Sequence, residues 1–149
     1  MIALTRQDLP PLERPASFAA AEALRGAYVL SDAEEPTLVL IATGSEVHVA
    51  LGAKALLEAR GHKVRVVSAP CWEAFAARPE TEREAVLGRG VRRITIEAGS
   101  TGLWRGVVGP SGLAVGIDRF GASAPAQRVA REFGLTRERV AERILAELS

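Results

Sequence analysis

The chain has 149 residues, 48% of them hydrophobic, and a formal net charge of +1, a composition typical of one globular domain of ordinary size. This balanced charge excludes a bulk field that would attract nucleic acid or an anionic membrane, so neither is predicted as a partner. The single cysteine excludes an internal disulfide, and no apolar run reaches the roughly 20 residues of a transmembrane helix, so we expect a cytoplasmic protein.

The N-terminal part predicts an irregular segment, a short helix and two strands. Three prolines in residues 1–16 fix φ and remove hydrogen-bond donors, which is typical of a linker. An alanine-rich helix is predicted over 17–24 and ends at Gly26. Apolar runs predict strands over 27–30 and 38–42. Because a short turn separates these strands, we expect them to form an antiparallel pair at one end of the sheet.

The rest of the chain alternates helical and strand patterns. Further strands are predicted over 64–68, 93–97 and 113–117. Side-chain caps at helix starts are predicted for Ser45, Thr81, Ser123 and Thr136. The alternation predicts a three-layer α/β/α sandwich with a five-stranded, mostly parallel sheet and one antiparallel edge strand. Ligands of such sheets bind beyond the carboxyl ends of the strands.

The first candidate site lies where the strand over 38–42 gives way to a helix. Gly44 and Ser45 stand at this helix start, where free backbone amides and the positive end of the helix dipole can hold an anion. Every strand–helix–strand unit produces this geometry, and the sequence has no glycine-rich phosphate motif, so a plain helix cap is the alternative.

Other reactive residue types have structural interpretations. His48, His62 and Cys71 lack the spacing of metal ligands, so we predict no metal site and expect Cys71 to pack as a small apolar residue. Glu97 and Asp118 each follow a predicted strand. General acid–base chemistry would require a partner and a tuned pKa, so we expect these two carboxylates to bond backbone amides and fix the turns.

Three phrases identify a resemblance to a known family. They are IATGSEV at 41–47, IEAGS at 96–100 and FGASAPA at 120–126. In this order and spacing they resemble the C-terminal domain of transketolase, the thiamine-diphosphate enzyme that moves two-carbon ketol units between sugar phosphates. The resemblance implies that residues 1–25 are the end of the pyrimidine-binding domain and the linker, and that residues 26–149 are the C-terminal domain of a longer enzyme.

One substrate-binding residue follows from this resemblance. The family has an (S/T)-R-Q phrase at the exit from its middle domain, and Thr5-Arg6-Gln7 matches it. There the arginine helps to hold the phosphate of the sugar substrate, a task that suits the bidentate guanidinium group. The resemblance therefore implies that Arg6 binds substrate phosphate.

The same resemblance implies that most catalytic parts lie elsewhere. Family members hold thiamine diphosphate through Mg²⁺ bound to a G-D-G motif and a downstream Asn, whereas this sequence has neither the motif nor any Asn. We therefore expect thiamine diphosphate and Mg²⁺ in the full-length enzyme, no cofactor bound to this segment, and no activity of the segment alone. Its expected partners are the rest of the transketolase chain and, in a homodimer, a second subunit.

Two alternatives remain open from the sequence. The first is a stand-alone regulatory module that binds an anion or a nucleotide, since a fold does not fix a function. The second is a domain of a related thiamine enzyme, such as a deoxyxylulose-phosphate synthase or a pyruvate dehydrogenase β-subunit. Trp104, with Leu103 and Val107, would either form an apolar surface for another subunit or pack in the core.

Overall fold

The sheet is built around a strand whose residues are all apolar and buried. The computed structural model describes residues 8–148. Its five strands are β1 (Tyr28–Ser31), β2 (Leu38–Ala42), β3 (Val64–Ser68), β4 (Arg92–Ile96) and β5 (Leu113–Val115). The strand order is β1-β3-β2-β4-β5, with β1 antiparallel to β3 and the other pairs parallel. β2 is apolar throughout because it is central and covered on both faces.

Helices cover both faces of this sheet, which confirms the predicted three-layer α/β/α sandwich. They are α1 (Glu46–Glu58), α2 (Trp72–Ala76), α3 (Glu80–Leu87), α4 (Arg105–Val108), α5 (Ala126–Glu132) and α6 (Arg137–Leu148), and a 3₁₀ helix spans Ala20–Arg25. α1 and α6 pack on the face that includes Leu40, whereas α2, α3 and α4 pack on the face that includes Val39. Within residues 8–148, every helix is too short or too polar to cross a bilayer.

The predicted pairing of the first two strands is wrong. β1 pairs with β3, with Tyr28 opposite Ser68, and β2 lies between β3 and β4. The connection over 32–37 crosses one intervening strand, a distance of about 10 Å between the axes of β1 and β2. Six residues can span about 20 Å, so a short connection does not require neighbouring strands.

The predicted caps also differ from the observed helix starts. Arg139 N–H donates to the Thr136 hydroxyl oxygen at 3.3 Å, which confirms that cap. α3 and α5 instead begin directly after Pro79 and Pro125, whose fixed φ suits the residue at a helix start. Ser45 precedes α1 but makes no side-chain cap bond. Three of the four predicted side-chain caps are therefore wrong.

Candidate functional site

The candidate anion site lies at the carboxyl edge of the sheet, in the turn between β2 and α1. Gly44 has a φ of +48°, which lets the chain turn sharply from strand to helix. The Ser45 hydroxyl donates to Glu46 Oε1 at 2.8 Å rather than to a backbone group. The Val47 and His48 amides donate to the carbonyls of Gly44 and Ser45 at 3.4 and 3.2 Å. Much of the donor capacity of this helix start is therefore used locally.

Two glutamates add negative charge to the same turn. The Thr43 hydroxyl donates to Glu97, which follows β4, and Glu46 opens α1 directly after this turn. Burial raises the pKa of Glu46, and repulsion from Glu97 acts in the same direction. The polar groups of this turn are therefore already hydrogen-bonded, and the surface that it presents to an anion is acidic. Anion binding at Gly44 and Ser45 stays a prediction.

The raised pKa of Glu46 predicts a pH dependence of stability. Above the ordinary glutamate value of 4.5 the folded protein binds more protons at this site than the unfolded chain, so Glu46 lowers the free energy of unfolding as pH rises. Because Gln does not titrate, the Glu46→Gln variant should not show this decrease in the free energy of unfolding. We therefore expect the variant to become progressively more stable than the wild type from about pH 4 to about pH 7. Urea unfolding across this range measures the difference.

The matched control for this prediction is Glu142→Gln, because Glu142 lies on the exposed face of α6 and pairs with Arg139 at 2.9 Å. Subtracting its effect removes the general consequence of losing one negative charge. A stability difference between Glu46→Gln and the wild type that shrinks as pH rises would contradict the assigned environment of Glu46.

Asp118 joins the loops that follow β4 and β5. Its carboxylate accepts the Thr101 amide at 2.8 Å, the Thr101 hydroxyl at 2.6 Å and the Ser100 hydroxyl at 3.2 Å. The Thr101 hydroxyl is the main cause that lowers the pKa of Asp118, and Arg105 at 3.6 Å contributes. The prediction that Asp118 fixes a turn through a backbone amide is confirmed. Glu97, by contrast, binds a side-chain hydroxyl.

A partly apolar cavity of about 480 Å³ lies beside these loops. Glu46 and His48 border it on the α1 side, and Ile117 and Phe133 form part of its wall. Leu9, from the segment that leads into the domain, also lines it. The cavity therefore lies where the N-terminal segment meets the carboxyl edge.

The predictions for Arg6, Cys71 and Trp104 have different outcomes in the structure. Arg6 lies outside the described residues, and its role stays a prediction. Cys71 is exposed, so the prediction that it packs as a small apolar residue is wrong. Trp104 is buried, with its ring centroid 5.4 Å from that of Trp72, which favours core packing over a contact surface. The side chain of the neighbouring residue Leu103, by contrast, is exposed.

The sequence reasoning missed Phe120, which is 98% exposed at the carboxyl edge. In the sequence, Phe120 is the first residue of the FGASAPA phrase. The available signal was a large aromatic residue followed by small and turn-forming residues, a context that offers little apolar surface to cover it.

Comparisons with known proteins agree on one family. Residues 26–136 match the family described as "Transketolase-like TK C-terminal domain". The chain is 51% identical over 148 residues to the plasmid transketolase of Cupriavidus necator and 43% identical over 150 residues to the Geobacillus stearothermophilus transketolase. These alignments cover 98% and 99% of this chain but 22% of each relative.

Solved structures give the same result. The H261F mutant of Pichia stipitis transketolase superposes with a TM-score of 0.83 at 35% identity, over 95% of this chain and 20% of that one. The transketolase of Campylobacter jejuni superposes with a TM-score of 0.82 at 29% identity, over 95% of this chain and 21% of that one. The chain therefore belongs to the transketolase family and corresponds to its C-terminal domain, about a fifth of the length of the relatives it matches.

Proposed function

We propose that this domain works within a full-length transketolase, which transfers ketol groups between sugar phosphates, and that it supports the enzyme's homodimer. The alignment that covers 98% of this chain and 22% of the Cupriavidus relative carries this proposal. Most of such an enzyme lies outside the segment. The proposal therefore assigns the chemistry to the rest of the parent chain and an architectural role to this domain, in the cytoplasm.

The described residues do not fit the family's cofactor. Thiamine diphosphate and Mg²⁺ require metal ligands and a cradle for a diphosphate. Among residues 8–148, no three His, Cys, Asp or Glu side chains gather where they could hold a metal ion. At the start of α1, Glu46 and Glu97 would repel a diphosphate. We derive no catalytic step in this domain, and we propose that the cofactor binds elsewhere in the parent.

The boundary and the phosphate-binding residue belong to the same proposal. Residues 1–25 would be the end of the pyrimidine-binding domain and the linker, and residues 26–149 the C-terminal domain. Arg6 would then approach the substrate phosphate from the domain boundary, while the rest of that pocket comes from the parent. The stand-alone anion- or nucleotide-binding module is not favoured, because the relatives are transketolases.

The test is a ketol-transfer assay. The full-length parent, supplied with thiamine diphosphate and Mg²⁺, should transfer a ketol unit from xylulose 5-phosphate to ribose 5-phosphate. The 149-residue chain under the same conditions should transfer none. The Arg6→Ala variant of the parent tests whether Arg6 binds substrate phosphate, and we expect it to raise the KM for phosphorylated substrates. Activity of the isolated chain, or none in the parent, would contradict the proposal.

A further inference from the structure

The segment that leads into β1 packs onto the domain instead of running past it as a loose linker. Its partly buried apolar residues Leu12, Phe18 and Ala23 all contact the core cluster on the α1 and α6 face of the sheet. We call residues 12–25 the strap. A disordered linker buries too little apolar surface to hold its own chain in place, whereas three separate points of the strap reach the core.

Phe18 is the main contact of the strap with the sheet. Its ring centroid lies 4.8 Å from that of Tyr28, the first residue of β1, and the two rings are tilted by 48°. The Arg14 guanidinium lies over the Phe18 ring at 5.1 Å. Both arrangements are attractive, because the positive edge of one ring or a cation meets the negative face of the other ring. Phe18 therefore ties the middle of the strap to β1.

The end of the strap is held on the opposite face of the sheet. The Arg25 guanidinium lies 3.7 Å from the carboxylate of Glu82 in α3, and Glu82 also accepts a hydrogen bond from Arg78 Nε at 2.7 Å. Arg25 and Glu82 are about half exposed, so their ion pair contributes little by itself. Its significance is its position, because it attaches the strap to the α3 face while Phe18 attaches it to the other face.

The strand that follows the strap depends on such support. β1 has four residues, and β3 is its only neighbour within the sheet. The pairing of these two strands is irregular between Val29 and Ser31. A short edge strand with an interrupted ladder gains little from hydrogen bonds with its neighbour, so packing of the preceding segment adds to what keeps it in the sheet.

We propose that the strap is a clamp built into the folding unit of this domain, fixed on one face by Phe18 and on the other by Arg25, so that the unit begins at Leu12. The family match begins only at residue 26, and a division of the chain at that point would separate the clamp from the strand that it holds. In the parent enzyme, bending between this domain and the preceding part would then occur before Leu12. That consequence alone rests on the proposed function.

Limited digestion of the 149-residue chain with subtilisin, read by mass spectrometry, tests the clamp. The internal reference is the segment 118–128, in which every residue is exposed. Because cleavage requires local opening, we expect the strap of the wild type to be cut at least about tenfold more slowly than the reference. Phe18→Ala should raise the rate of cleavage in the strap about tenfold, since it removes the contact with Tyr28.

The matched control is Leu24→Ala, because Leu24 lies in the same strap but is 85% exposed, and this variant should be cut like the wild type. Phe18→Leu keeps an apolar side chain without the ring, and it should show a smaller rise should Phe18→Ala fail to fold. A rise confined to the strap indicates local detachment. A rise in both segments, with a lower urea midpoint, indicates unfolding of the whole unit, and either result supports the clamp.

Two results would overturn the proposal. Cleavage of the wild-type strap as fast as that of the reference would make residues 12–25 a loose linker. Equal cleavage of Phe18→Ala, Phe18→Leu and Leu24→Ala would show that Phe18 does not hold the strap. The digestion involves no turnover, so its result is independent of whether the parent transfers ketol units.

Discussion

Replacing Gly26 with alanine is expected to lower the free energy of unfolding by about 3 kcal/mol, because a left-handed backbone conformation and tight packing both oppose a side chain there. Gly26 has a φ of +89°, and a Cβ would lie 2.5 Å from both the Cys71 carbonyl oxygen and the Phe75 amide nitrogen. The Gly26 carbonyl also accepts the Cys71 amide at 3.0 Å, so the backbone cannot move away without breaking the junction with α2.

Gly61 provides a matched control for this prediction. Its φ is +88°, almost identical to that of Gly26, but a Cβ there would meet no heavy atom of the described residues within 4 Å. Gly61→Ala should therefore show the backbone strain alone, about 1 kcal/mol. Urea unfolding followed by circular dichroism measures both losses. Equal losses for the two variants would show that backbone conformation, and not the contact with α2, determines the cost at Gly26.

The sequence predicted those features of the fold that depend on local pattern. The apolar run of β2 identified a central strand, since a strand covered on both faces needs apolar residues at every position. The partner of β1 was not predictable in this way. Both β2 and β3 present apolar residues, and the six-residue connection from β1 is long enough to place β2 either beside β1 or one strand further away. The correct pairing depends on where α1 places β3, which is a property of the whole sheet.

The candidate site was predictable to a similar extent. Asp118 was expected to fix a turn, because a carboxylate directly after a strand lies near the backbone amides of neighbouring loops, and it does so at Thr101. The exposure of Phe120 was harder to predict, because apolar composition alone predicts burial and the only signal against it was the run of small and turn-forming residues that follows. A sequence pattern records that a residue is apolar, whereas its burial depends on the tertiary packing around it.

Lys54 interrupts the apolar stripe of α1, and the structure gives the reason. Its ammonium group donates to the Val64 carbonyl at 2.5 Å, to the Asp32 carbonyl at 3.2 Å and to Glu58 at 2.5 Å. The last β1–β3 pair joins Ser31 and Val66, so Val64 lies beyond the end of that ladder. Lys54 therefore supplies a donor to a strand carbonyl where β1 departs from β3, while its aliphatic stem completes the packed face.

Lys54→Met should therefore lower the free energy of unfolding by about 2 kcal/mol, because the methionine keeps the packing but leaves the Val64 carbonyl without its donor. Glu58→Gln tests the ion pair separately. The Glu58 side chain is 39% exposed, and losing such a pair should cost about 0.5 kcal/mol or less. Urea unfolding of both variants and of the double variant separates the two contributions. If Glu58→Gln lowers the free energy of unfolding as much as Lys54→Met does, the ion pair rather than the Val64 carbonyl accounts for the stabilising effect of Lys54. If Lys54→Met leaves the free energy of unfolding unchanged, the Val64 carbonyl obtains a hydrogen-bond donor without Lys54.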